Sequence, residues 1–128
     1  MTNSSGKTRR VVLVVPDLIF ATRISETAKR LGVEALASNR ATAAVACREE
    51  PTDLLVVDLE AVQDLAGLAR ELEADPASSR PRIVGFYPHV RGDLRTAALA
   101  ARFDLVLPRS AFAARLVALL SGDSGASE

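Results

Sequence analysis

Five short apolar runs, separated by segments of helical periodicity, constrain this chain more than any other feature. Val11-Val12-Leu13-Val14-Val15 is an unbroken, mostly β-branched run, as expected of a strand covered on both faces. Ile19 or Phe20, Ile24, Ala28 and Leu31 then recur at helical spacing, and Gly32 ends the segment. Val33 to Ser38 reads as a weaker second strand. Ser38 or Asn39 can cap a helix from Arg40 to about Glu50, which Pro51 prevents from continuing. Asp53-Leu54-Leu55-Val56-Val57-Asp58 is the third strand, followed by Val62, Leu65, Ala69 and Leu72 on one helical face. Asp75 to Ser79 carries turn chemistry. Ile83 to Tyr87 is the fourth strand, and Leu94, Ala97, Ala98 and Ala101 give a small-residue helix face. Asp104 to Leu107 is the fifth. Pro108 follows, then Ser110 as the expected N-cap of a last helix striped by Phe112, Leu116, Leu119 and Leu120.

Strand and helix alternating five times predict an α/β fold: a parallel sheet with helices on both faces. The 128 residues are one domain by size, and 48% apolar content is enough for a core without disulfide or metal. The domain is expected over 9–120, with 1–8 a disordered lead and 121–128 a disordered tail. The single cysteine, Cys47, excludes an intramolecular disulfide and a cysteine-based zinc site. Sixteen basic and sixteen acidic residues balance, which argues against a nucleic-acid surface. No segment is long and apolar enough for a membrane span, and none of signal-peptide length precedes the first strand. A cytoplasmic protein with no membrane contact is therefore expected.

In open parallel sheets, ligands sit beyond the carboxyl ends of the strands. The residues to read are Asp17, Asp58, Tyr87 and the Leu107-Pro108 pair. Two carboxylates at neighbouring strand ends repel unless a proton or cation intervenes, and a hard divalent cation is the common solution. The plainer alternative for Asp17 and Asp58 is helix N-capping or a turn.

Thr52-Asp53-Leu54-Leu55-Val56-Val57-Asp58-Leu59 resembles the segment of response-regulator receiver domains that ends in the phosphorylated aspartate. Val14-Val15-Pro16-Asp17 resembles their first-strand segment, which normally ends in two adjacent acidic residues. Asp104-Leu105-Val106-Leu107-Pro108 resembles their fifth-strand segment, which normally ends Lys-Pro. The resemblance covers essentially the whole domain in element order. It implies a five-stranded parallel sheet of order 2-1-3-4-5 and a phosphoryl group taken from a histidine kinase with Mg²⁺. Carried over, Asp58 would be the phospho-acceptor and a metal ligand, Asp17 the remaining acidic ligand, and Glu60 the source of a backbone carbonyl.

Four departures follow. Pro16 stands where one member of the acidic pair belongs. The small hydroxyl residue ending the fourth strand is replaced by Tyr87, or by Phe86 if the register shifts by one. Leu107 replaces the fifth-strand lysine, and since Lys7 and Lys29 are the only lysines, no realignment supplies one. Ala61-Val62 replaces the usual Met-Pro after the acceptor. Phosphoryl transfer needs fixed cations to offset charge on the transferred oxygens, and losing such a contact costs about 1.5–3 kcal/mol. Arg109 reads as a solvent-facing residue in the lead-in to the last helix, with reach into the pocket as the alternative.

The preferred reading is a pseudo-receiver. This is a signalling module, not an enzyme, that works through protein contacts with weak or no phosphorylation at Asp58. Its partner would be a histidine kinase or other signalling protein, or a second copy bound through the fourth and fifth helices. The alternative is a working, atypical phospho-receiver with Mg²⁺ at Asp17 and Asp58. A nucleotide-binding domain ranks third, because Pro16-Asp17-Leu18 stands where a Gly-rich phosphate loop belongs. Gly6-Lys7-Thr8, Arg91-Gly92-Asp93, the lone His89 and Cys47 read as structural or surface residues.

Overall fold

The computed structural model describes residues 8–73 and 80–122. The disordered lead and tail expected at the chain ends, and the turn expected over Asp75 to Ser79, fall largely or wholly outside these residues. The element order is β1 (Arg10–Val14), α1 (Leu18–Arg30), β2 (Glu34–Ala37), α2 (Ala43–Glu49), β3 (Leu54–Asp58) and a 3₁₀ turn (Leu59–Ala61), then α3 (Leu65–Glu73), β4 (Arg82–Tyr87), α4 (Gly92–Ala100), β5 (Leu105–Pro108), α5 (Arg109–Ala114) and α6 (Leu116–Ser121). The strands form one parallel sheet of order β2-β1-β3-β4-β5, as predicted.

Side-chain alternation in the strands divides the core into two layers. Val11, Leu13, Leu54, Val56, Val84 and Phe86 face one side, where α1, α5 and α6 cover them with Phe20, Ile24, Phe112, Leu116 and Leu119. Val12, Val14, Leu55, Val57, Ile83 and Tyr87 face the other, under α2, α3 and α4. Because both faces are covered, β1 and β3 read as continuous apolar runs instead of alternating ones.

The helix boundaries differ from the sequence expectation in three places. Asp64 accepts a hydrogen bond from the Gly67 amide and fixes the start of α3 at Leu65, so Val62 lies before the helix yet stays buried. Asn39 accepts from the Thr42 amide, but Arg40 to Thr42 form a turn and regular helix begins at Ala43. Ser110 is not a cap. Pro108 ends β5 and passes straight into α5, and the expected last helix is divided at Arg115. Gly32 ends α1 with a left-handed φ of +73°, a conformation that costs an L-residue side chain.

The winding reverses between β1 and β3: β2 lies to one side of β1, and β3, β4 and β5 to the other. The loops after β1 and β3 therefore diverge, and the crevice between them is where such sheets bind ligands. Asp17 and Asp58 stand at its rim.

Candidate functional site

Asp58 is the last residue of β3 and is partly buried. Its Oδ1 accepts a hydrogen bond from the Glu60 amide at 3.0 Å, which caps the 3₁₀ turn. Burial pushes the carboxyl above its ordinary value, and the Glu60 amide pulls it back. The Glu60 charge raises it further, the Arg109 guanidinium lowers it, and Asp17 raises it. Leu59, next in the chain, is buried against Gly85. A Cβ on Gly85 would stand 2.7 Å from Leu59 Cδ2, so the glycine lets the segment after Asp58 lie close to β4.

Asp17 caps α1, its Oδ1 accepting from the Phe20 amide at 3.1 Å. Its Oδ2 accepts from Arg109 Nη2 at 2.9 Å across 92 residues of sequence. The Arg109 contact and the Phe20 amide together hold the Asp17 carboxyl below the usual carboxylate range. The expectation that Arg109 merely faces solvent is therefore corrected. Its Cζ lies 4.1 Å from the ring centroid of Phe20 and 5.8 Å from that of Phe86. The charge is held there by an aromatic face on one side and a carboxylate on the other.

The sheet register settles which residue stands opposite Asp58. Asp58 pairs with Phe86, and Phe86 with Leu107, so these three lie level on adjacent strands and share a face. Tyr87 lies one residue further along, packs into the opposite layer, and does not stand beside Asp58. The one-residue shift to Phe86 is thus the arrangement the sheet adopts. Phe86 stacks on Phe112 at 4.9 Å between centroids, and Phe20 meets both rings edge-on at 5.2 and 5.9 Å. An aromatic cluster lies on this face, and among the described residues neither a hydroxyl nor a lysine pairs with Asp58 or Phe86 across the sheet.

The Mg²⁺ that the resemblance implies would need free carboxylate oxygens. Both oxygens of Asp17 are engaged, by an amide and a guanidinium, and one oxygen of Asp58 is engaged by an amide. Among the described residues, no group of three or more His, Cys, Asp or Glu is arranged to hold a metal ion. Glu60 presents its amide to Asp58, while its carboxylate lies 3.5 Å from Arg91. With Arg109 in place, these residues fit a divalent cation poorly, because the guanidinium already supplies the positive charge.

The remaining candidates lie apart from this chemistry. Arg91 and Asp93 form a two-point hydrogen-bonded pair with each other at the start of α4. Cys47 is buried in α2, and burial pushes its thiol up to about 11, so it is inert as a nucleophile. Phe20, Phe112 and Arg109 were not legible as a unit. Their signal was a repeated spacing: Asp17 with Phe20, and Arg109 with Phe112, place a charge and a ring one helical turn apart at two helix starts.

No family model matches the chain, and no curated protein matches it in sequence. Solved structures do match. A response regulator from Hahella chejuensis superposes with a TM-score of 0.75 at 19% identity, over 89% of this chain and 93% of that one. A response regulator from Thermotoga maritima gives 0.71 at 20% identity, over 94% and 98%. The receiver domain of sensor histidine kinase PA1611 from Pseudomonas aeruginosa PAO1, with a magnesium ion in its active-site cleft, gives 0.71 at 20% identity, over 91% and 100%. The chain has the fold of the response-regulator receiver domains.

Proposed function

We propose that this chain is a signalling module of the receiver family that acts through protein contacts, with weak or no phosphorylation at Asp58. The observation that carries the reading is the Arg109–Asp17 ion pair seated on Phe20. In a working receiver site, a metal and a lysine would offset charge on the transferred oxygens. Here one guanidinium stands near both aspartates but is committed to Asp17, and Phe86 and Leu107 stand level with Asp58. An incoming phosphoryl group would meet apolar side chains where fixed cations and hydroxyl donors are needed. Mg²⁺ binds weakly, because it must displace Arg109 to use Asp17. The module is not an enzyme and works in the cytoplasm. Its partner is a histidine kinase or another signalling protein, or a second copy that meets it through α4 and the α5–α6 segment.

One observation favours a second reading, a functional atypical phospho-receiver. Asp58 still closes the central strand at the switch point, and only its Oδ1 accepts a hydrogen bond among the described residues. Incubation with acetyl phosphate and Mg²⁺, read by intact mass, separates the two. The first reading expects a trace at most. A large gain that disappears in Asp58→Ala supports the second.

A further inference from the structure

A concavity of about 530 Å³ opens beside the aromatic cluster, between the start of α1, the loop after β4 and the start of α5. Phe20, Ile19 and Pro88 supply apolar wall, and Arg23, His89 and Arg109 supply polar groups. Among the described residues, no acidic side chain lines it. Asp17 touches Arg109 from outside the lining, and Glu26, one turn along α1 from Arg23, belongs to a neighbouring shallow depression.

The charge in this concavity is poorly neutralised. The Arg23 side chain makes no hydrogen bond or ion pair with any described residue. Arg109 gives Nη2 to Asp17, and its Nε and Nη1 have no partner among the described residues. Ile19 is 85% exposed, a large apolar side chain left in water at the rim. The size falls in the range of small-molecule sites, roughly 300–1,000 Å³, and a mostly apolar wall with a few convergent donors is their usual composition.

We propose that this concavity binds a small apolar anion, an aromatic or branched aliphatic carboxylate whose charge is held between Arg23 and Arg109. Its hydrocarbon body covers Ile19 and Pro88, beside the Phe20 ring that Arg109 already caps. A carboxylate that takes the free Nε or Nη1 of Arg109 shares the guanidinium charge with Asp17, so occupancy weakens that ion pair. By linkage, anything that strengthens the Arg109–Asp17 pair weakens the ligand equally. The inference goes beyond the proposed function and does not need it, since binding is read independently of whether Asp58 accepts a phosphoryl group.

Amide NMR titration tests it, with naphthoate as the apolar anion, naphthyl methanol as its neutral counterpart and inorganic phosphate as an anion without an apolar body. Naphthoate is expected to give saturable shifts confined to the start of α1, the loop after β4 and the start of α5. The alcohol and the phosphate should each bind at least about tenfold more weakly. Arg23→Ala, an exposed site whose loss leaves the core intact, should weaken naphthoate about tenfold, and Arg23→Lys should retain most of the affinity. Any one of three results overturns the proposal: no saturable shift, equal binding of the neutral alcohol or of phosphate, or naphthoate affinity unchanged in both Arg23→Ala and Arg109→Ala.

Discussion

The two ends of the sheet handle charge in opposite ways. At the end where the strands begin, ionic groups are numerous and bonded to the backbone. Asp53 accepts from the Arg10 amide at 2.8 Å, and Asp104 accepts from the Ile83 amide at 2.7 Å and from Arg80 Nη1 at 2.9 Å. The Arg10 side chain, in a residue only 6% exposed, donates Nη1 to the Ala46 and Glu50 carbonyls and to Thr52 Oγ1, fastening α2 and the loop before β3. At the end where the strands finish, the ion pairs are exposed and join side chains to each other: Arg91 with Glu60 and Asp93, and Arg109 with Asp17, the last resting on an aromatic ring. The first end uses charge to satisfy buried backbone, so its ions are structural. At the second, the cations lie outside the core, and the chemistry there can change without unfolding the domain.

Variants should separate these roles, beginning with the core that both ends share. Phe112→Ala removes a fully buried ring packed against Phe20 and Phe86, the two rings beneath Arg109, and should cost about 3–5 kcal/mol in urea denaturation. A loss below 1 kcal/mol would mean that the aromatic cluster does not support the site. Arg10→Met removes three donated hydrogen bonds, of whose acceptors the Glu50 carbonyl keeps its bond from Thr52 Oγ1, and should cost about 2–3 kcal/mol, with no effect on Mg²⁺ binding. Arg109→Ala should show the reverse pattern. It loses about 0.5–1 kcal/mol of cation–π stabilisation yet raises Mg²⁺ affinity roughly tenfold by calorimetry, because Asp17 is freed. Unchanged Mg²⁺ affinity would contradict the role given to the guanidinium.

The smallest effect is a pH dependence. The Asp58 carboxyl is raised in the folded state, so it stabilises the fold below its unfolded value, and this is lost as pH rises through the folded value. Asp58→Asn keeps the acceptor for the Glu60 amide without the charge, and should raise Tm at neutral pH, a gain that vanishes in acid. Asp17 has the opposite sign. Its lowered carboxyl stabilises the fold above its unfolded value, and the contribution is lost as pH falls through the folded value. Asp17→Asn should therefore be less stable than the parent at neutral pH and converge with it in acid. Thermal melts of both variants across that range check the two signs.

The sheet was legible because strands covered on both faces leave continuous apolar runs, and the helices between them carry their own period. The positions of Asp17 and Asp58 followed from the rule that loops at the carboxyl ends carry chemistry. Three things were hidden. The Phe86 or Tyr87 ambiguity turns on a one-residue register, which flips a side chain from one face to the other and which only pairing with β3 and β5 resolves. Arg109 reaches across 92 residues to Asp17, a contact no local pattern announces. The start of α3 depended on Asp64 acting as a cap three residues after Ala61, within a stretch that helical periodicity alone had joined to the helix.

The sheet has the receiver architecture, and the proposed function holds that its carboxyl end lacks the phosphorylation chemistry. Intact mass after incubation with acetyl phosphate and Mg²⁺, beside a receiver domain that is phosphorylated under the same conditions, tests this most directly. The control is expected to gain one phosphoryl group while this chain gains a trace at most. A stoichiometric gain that is lost in Asp58→Ala would contradict it.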